Sequence, residues 1–230
     1  MLKLLEDAWD TQPQSRFKLA LEGAFYVITF SCGLRGEEVP LTDLNGTQKH
    51  WDISLTNDPP HITTALWGHF KGELGGNYHL MPIMPITRSG INNHLWIGRL
   101  LKFYRDRQII SGPMFRNSNG QRIRAGELEQ MFFKHLEQVQ NARPDLISSS
   151  EEIDDQYGIS KSFHRGSTSE ADNQGQPPDV IDTNNWWRKF QWAGASRPSL
   201  TMREHYADVR LTVKQSLRYT ACLWVRWTKS

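Results

Sequence analysis

The chain has 230 residues, with 38 % hydrophobic and 11 % aromatic content including nine tryptophans, so it can bury a sizeable core and is not a disordered sequence. Its two cysteines, Cys32 and Cys222, exclude a disulfide framework and a cysteine-rich zinc site, and Cys32 lies inside an apolar run as a small core residue would; this points to a reducing intracellular compartment. No signal-peptide pattern is read, and the longest apolar run, Ala24 to Cys32, is interrupted by Thr29 and Ser31 and is too short for a membrane span.

In chain order, Met1 to Trp9 reads as a short amphipathic helix or turn, broken by Thr11-Gln-Pro-Gln-Ser. Arg16 to Ser31 carries apolar residues at 17, 19, 21, 24, 25, 27, 28 and 30, which predicts a helix with one broad buried face. Cys32-Gly-Leu-Arg-Gly-Glu-Glu follows, with Pro40 limiting further helix. Trp51 to Leu55 and Ile62 to Leu66 read as short strands. Tyr78 to Ile86 then completes a β-hairpin whose loose, glycine-containing turn holds Lys71. Helices are expected within Asn92–Ile110 and Arg122–Val139, with Gly112-Pro-Met-Phe as a loop or extended piece between them. The polar, acidic stretch 148–160 reads as a surface linker. A helix is expected from about Ser162, ended by Gly175-Gln-Pro-Pro, with further helical candidates at Trp186–Trp192 and Met202–Trp227. The fold class is therefore mostly α with a small antiparallel β-sheet, α+β.

The net charge of +2 says little, but its distribution says more. Arg99 to Arg124 holds seven Lys/Arg against one Asp, and Trp186 to Ser230 holds nine against two acids. Ser148 to Asp182 reverses the balance, with two basic and eight acidic residues. Basic segments parted by an acidic one suit a protein with one charged face toward a polyanion, although solvated helix faces give the same pattern.

Four clusters and one lone lysine carry candidate chemistry. Arg35 stands at the end of the long apolar helix in Gly-Leu-Arg-Gly-Glu-Glu, placed to contact a phosphate, with Glu38 three residues on to orient it or simply to pair with it as a cap. Lys71 lies in the hairpin turn, where it can swing toward a bound group or remain a solvated loop lysine. Lys161-Ser162-Phe163-His164-Arg165-Gly166 puts an Arg beside a His at a helix start, where free amides favour an anion; Ser162 alternatively acts as the helix cap. Asn185-Trp186-Trp187-Arg188 sets paired tryptophans next to cations, and Met202-Arg-Glu-His-Tyr206 places a tyrosine near the C-terminus.

The order of these clusters resembles the tyrosine recombinase (phage-integrase-like) catalytic domain, and most nearly its eukaryotic crypton-type branch, over roughly Phe17 to Trp227. The resemblance implies cleavage and rejoining of double-stranded DNA through a 3′-phosphotyrosyl intermediate, without metal or cofactor, by a homo-oligomer assembled on DNA in the nucleus. It assigns Tyr206 as nucleophile, Arg35 and Arg165 as phosphate clamps, and Lys71 as general acid on the leaving 5′ oxygen. Trp187, or its neighbour Trp186, would donate to a non-bridging oxygen. Glu38, His164 and Ser162 are supporting residues. Ser162 holds the place, three residues before the second arginine, where the family commonly has His. The domain reading is a stub or linker at 1–15 and a catalytic domain at 16–230. The alternative is an inactive, truncated or domesticated relative that acts as a DNA-binding module.

Overall fold

A computed structural model describes residues 1–49, 61–67, 78–177, 180, 181, 217 and 219–223. Helices α1 (Leu2–Thr11), α2 (Arg16–Ser31) and α3 (Leu44–Lys49) precede strands β1 (Ile62–Trp67) and β2 (Tyr78–Ile83). Helices α4 (Asn93–Asp106), α5 (Ala125–Ala142), α6 (Ile153–Gln156) and α7 (Ser162–Asn173) follow, with 3-10 turns at Pro13–Ser15 and Val39–Leu41. The protein is thus mostly helical with one two-stranded antiparallel sheet among the described residues, the α+β class expected.

Helix α2 is the axis of the core. Its apolar periodicity predicts one buried face, yet every residue from Leu19 to Thr29 is buried, because α1, α4 and α7 pack around it and Phe132 and His135 of α5 reach Tyr26. Helix α4 approaches closest, at Gly23, where a β-carbon would lie 2.0 Å from Trp96 Cε3. Only a glycine lets the two helices meet at this separation. Asn92 caps α4 by accepting from the Leu95 amide at 2.8 Å.

Residues 1–15, expected as a stub or linker, pack onto this core. Leu5 is buried, and Trp9 lies edge-on to Trp96 and Phe103 with the Arg99 guanidinium 4.0 Å from its ring centre. The hairpin expected from the two apolar segments forms, pairing Ile62 with Ile83 through Trp67 with Tyr78; its turn, like the expected strand 51–55, lies outside the described residues. Thr42 bridges to Leu66 and Asp43 to Pro113, so the chain after α2 is threaded between β1 and the segment entering Phe115.

One expected feature changes on folding. The acidic stretch 148–160 keeps its carboxylates exposed, but Ile153 in α6 and Ile159 are buried anchors, so the segment is fastened to the core at two points. The C-terminal segment packs in cis: Tyr219, Cys222 and Leu223 join Ala171, Val180 and Ile181 in a second apolar cluster. The Thr220 hydroxyl accepts from the Met84 amide, and the Ala221 carbonyl accepts from the Arg88 amide.

Candidate functional site

The candidate site begins with how α2 stops. Cys32 closes the helix and Gly33 follows with φ 62°, a left-handed conformation that glycine adopts freely. The Leu34 amide donates to Thr29 O and the Gly33 amide to Phe30 O, the paired bonds of a Schellman motif, with Leu34 buried as its apolar plug. The next four residues turn back on themselves. Glu38 Oε2 accepts from the Arg35 amide at 2.8 Å, and Arg35 O accepts from the Glu38 amide at 2.9 Å. Glu38 therefore orders the turn that bears Arg35. Burial raises the Glu38 carboxyl above its ordinary range, and the hydrogen bond from the Arg35 amide and the Arg35 charge pull it back.

Helix α7 is held against this turn. Phe163 is the anchor, edge-on to Phe25 at 5.7 Å and tilted against Phe132 at 5.0 Å. The Gly36 amide donates to Ile159 O at 2.8 Å, and the Ser160 hydroxyl donates to Glu37 at 3.3 Å. His164 Nδ1 lies 2.5 Å from Gly33 O across 131 residues of sequence; since a carbonyl only accepts, Nδ1 carries the proton. Arg35, Glu38 and His164 are thus brought to one end of α2.

Ser162 is not the cap of α7. It is the first residue of α7, Lys161 stands at the cap position, and Ser162 Oγ accepts from the Gly158 amide at 3.1 Å, closing the preceding turn. Arg165 is exposed. The inward stripe of α7 is Phe163, Ser167 and Ala171, and at about 100° per residue Arg165 falls well outside that stripe. The structure places the α7 motif beside Arg35 while directing the Arg165 side chain to solvent. Lys71, Trp186, Trp187 and Tyr206 lie outside the described residues. Tyr219, the other tyrosine of the C-terminal region, is fully buried, and burial lifts its hydroxyl well above the ordinary value, which disqualifies it as a nucleophile in this conformation.

The sequence reading missed a buried polar network on the other side of α2. Tyr26 Oη and His135 Nδ1 are 2.7 Å apart, and His135 Nε2 lies 3.6 Å from Glu22 Oε2. Burial pushes the Glu22 carboxyl up to about 7 and the His135 imidazole down to about 4. The two therefore meet in mildly acid solution as neutral groups, not as an ion pair, and Lys18 Nζ, 3.8 Å from Glu22 Oε1, faces the carboxylate once it ionises. The network borders a cleft of about 1040 Å³ lined also by Lys18, Arg107, Arg116 and Lys134. One signal for it was readable: Glu22 is the single acid inside an otherwise apolar helical run.

Among the described residues no three His, Cys, Asp or Glu side chains gather as a metal site requires, and no helix is long and apolar enough to cross a membrane. Compared with known proteins, the chain matches no protein-family model, no curated protein sequence and no solved structure.

Proposed function

We propose that the chain cleaves and rejoins double-stranded DNA as a tyrosine recombinase of crypton-like type, working in the nucleus as a homo-oligomer on its DNA. The observation that carries this reading is the junction of two distant motifs, the Gly33–Glu38 turn and the start of α7, through the His164–Gly33 and Gly36–Ile159 contacts. A phosphate-binding centre built from Arg35 and Arg165 needs these two segments side by side.

In the proposed reaction Tyr206 Oη gives up its proton to solvent and bonds to the scissile phosphorus as the bond to the 5′ oxygen breaks, and Lys71 gives that oxygen its proton. Arg35, Arg165 and Trp187, or Trp186 in its place, stabilise the negative charge gathered on the non-bridging oxygens. The phosphotyrosyl link retains the bond energy, so a 5′ hydroxyl reverses the step and rejoins the strand without a nucleotide cofactor. Glu38 and His164 keep the arginine-bearing turns in place, and Ser162 shapes the approach to α7.

A second reading has one specific observation in its favour. Arg165 faces solvent on the outer side of α7, as a residue used only for backbone phosphate contact would. On that reading the chain is a DNA-binding module without strand cleavage.

The deciding experiment is a denaturing gel of the chain incubated with a nicked suicide duplex, comparing wild type with Tyr206→Phe. A covalent protein–DNA band lost in the variant is the expected result. A band that persists in Tyr206→Phe refutes the assignment of the nucleophile. Salt-sensitive binding with no band in either protein favours the binding module.

A further inference from the structure

Between α4 and α5 the chain forms a small hairpin that nothing in the strand-cleavage mechanism uses. Phe115 and Ile123 pair through the Ile123 amide and Phe115 O at 3.0 Å, Arg116 bridges Arg122, and the Asn117 amide donates to Gln121 O. The tip is fixed by Asn117 Oδ1, which accepts from the amides of Asn119 and Gln121, and by Gly120 at φ 77°. At the base, Met114 and Phe115 are fully buried. Arg116 folds back to donate to Ser111 O and Pro113 O, both at 2.8 Å, and lies over the Tyr104 ring.

This frame sets the direction of its other arginines. Ile123 turns inward against the core, so in the extended segment Arg122 and Arg124 on either side of it point outward together, with backbones roughly 6.6 Å apart at two residues of strand rise. Both are exposed, and neither guanidinium forms a hydrogen bond or ion pair with a described residue. Arg107, exposed at the end of α4, lines the same cleft as Arg116 and the hairpin tip. From Arg105 to Arg124 the sequence has five arginines and one acid, Asp106, which is held by Lys102 at 3.0 Å. The next acid, Glu127, accepts from the Arg124 amide at the start of α5.

We infer that this arginine hairpin is a second DNA-contacting surface, gripping the phosphate backbone of duplex DNA through Arg122 and Arg124 at a distance in sequence from the Arg35 turn. The inference rests on the reading of the chain as a DNA-handling protein. A rigid stem that spends one arginine on its own carbonyls and presents two others on one face, unpaired with any described residue, suits a polyanion with regularly spaced charges. Such contacts set position and affinity without reading bases.

The test is fluorescence anisotropy on a labelled duplex of arbitrary sequence, from 0.05 to 0.5 M salt, with the full chain. Each phosphate contact contributes about 0.9 to the slope of log affinity against log salt. Arg122→Gln/Arg124→Gln should therefore flatten the slope by about 1.8 and weaken binding by roughly sixtyfold at 0.1 M salt, the difference closing toward 1 M. A control of equal charge loss, Lys3→Gln/Arg143→Gln, removes two exposed cations already paired with Asp7 and Asp145 and should leave the slope unchanged. An unaltered slope in the hairpin variant, an equal change in the control, or no salt-dependent binding by the wild type would each overturn the inference. The covalent-adduct gel judges strand cleavage separately. An adduct formed by wild type alongside an unaltered hairpin slope removes the hairpin and keeps the enzyme, and the converse result does the reverse.

Discussion

Replacing Gly23 by alanine tests the central packing claim, that α2 and α4 touch through a glycine. A β-carbon at position 23 would sit 2.0 Å from Trp96 Cε3 and 2.4 Å from Cδ2, whereas ordinary carbon contacts lie near 3.5–4.0 Å. The indole or the whole of α4 must then withdraw by about 1.5 Å to restore contact distance. Trp96 is fully buried, lies edge-on to Trp9 at 6.3 Å and carries Arg99 over its ring at 4.6 Å, so it has nowhere to rotate without breaking the docking of α1. Overpacking of this kind costs about 3 kcal/mol, offset by roughly 1 kcal/mol from alanine's better helix propensity, for a net loss of about 2 kcal/mol. Urea unfolding followed by far-ultraviolet circular dichroism reads this as a midpoint lower by about 0.7 M, taking a denaturant slope of about 3 kcal/mol/M. Gly166→Ala is the internal contrast. Its β-carbon meets nothing within 4 Å, so the same substitution in α7 should leave stability unchanged or raise it by up to about 1 kcal/mol. A Gly23→Ala midpoint equal to or above wild type refutes the argument.

Two further outcomes follow from other contacts. Gly36→Ala puts a β-carbon 2.5 Å from Ile159 Cβ, which should cost on the order of 1–3 kcal/mol and shift the His164 ring resonances in NMR as the α7 junction opens; unshifted resonances at wild-type stability would refute the close approach. Glu22→Gln tests the buried carboxyl. With its folded value raised from 4.5 to about 7, the Glu22 contribution to stability is fully present below pH 4.5 and is lost as pH rises to 7. His135, lowered from 6.5 to about 4, contributes the opposite slope as pH falls from 6.5 to 4, so the two nearly cancel between pH 4.5 and 6.5. Relative to wild type, Glu22→Gln should gain on the order of 2 kcal/mol between pH 5 and pH 8 in paired melts, and a pH-independent difference would sink the assignment.

The helices were legible wherever a local signal fixed them. Arg16–Ser31 announced itself by apolar spacing, and the end of α7 by Gly175 and the prolines beyond it. The hairpin 62–83 was legible from two apolar segments parted by glycines, whereas its register is seen only in the fold. What escaped depended on partners remote in sequence. Nothing near Glu22 shows that His135 will cover it, and Ile153 and Ile159 are too sparse among acids to be read as anchors. The Asn119-Gly120 turn carried a hairpin signal of its own, but only the fold reveals that Ile123 points inward and so aims Arg122 and Arg124 outward. Within the candidate site, Arg35 and Glu38 were legible as one turn. The link from His164 to Gly33 was not, because a side chain bonding a backbone carbonyl leaves no trace in residue identity.

That link also bears on how the molecule is made. The turn after α2 is synthesised early, yet its seal is His164, 131 residues later. At about 5–20 residues per second, the ribosome takes roughly 7 to 26 seconds to deliver the second half of the junction. Until then Gly33 O and the Gly36 amide have only water to bond, and any phosphate-binding geometry at Arg35 is unsupported. Closing so long a loop is a slow, late event in folding, so a nascent or truncated chain lacking α7 would carry the arginine without the site.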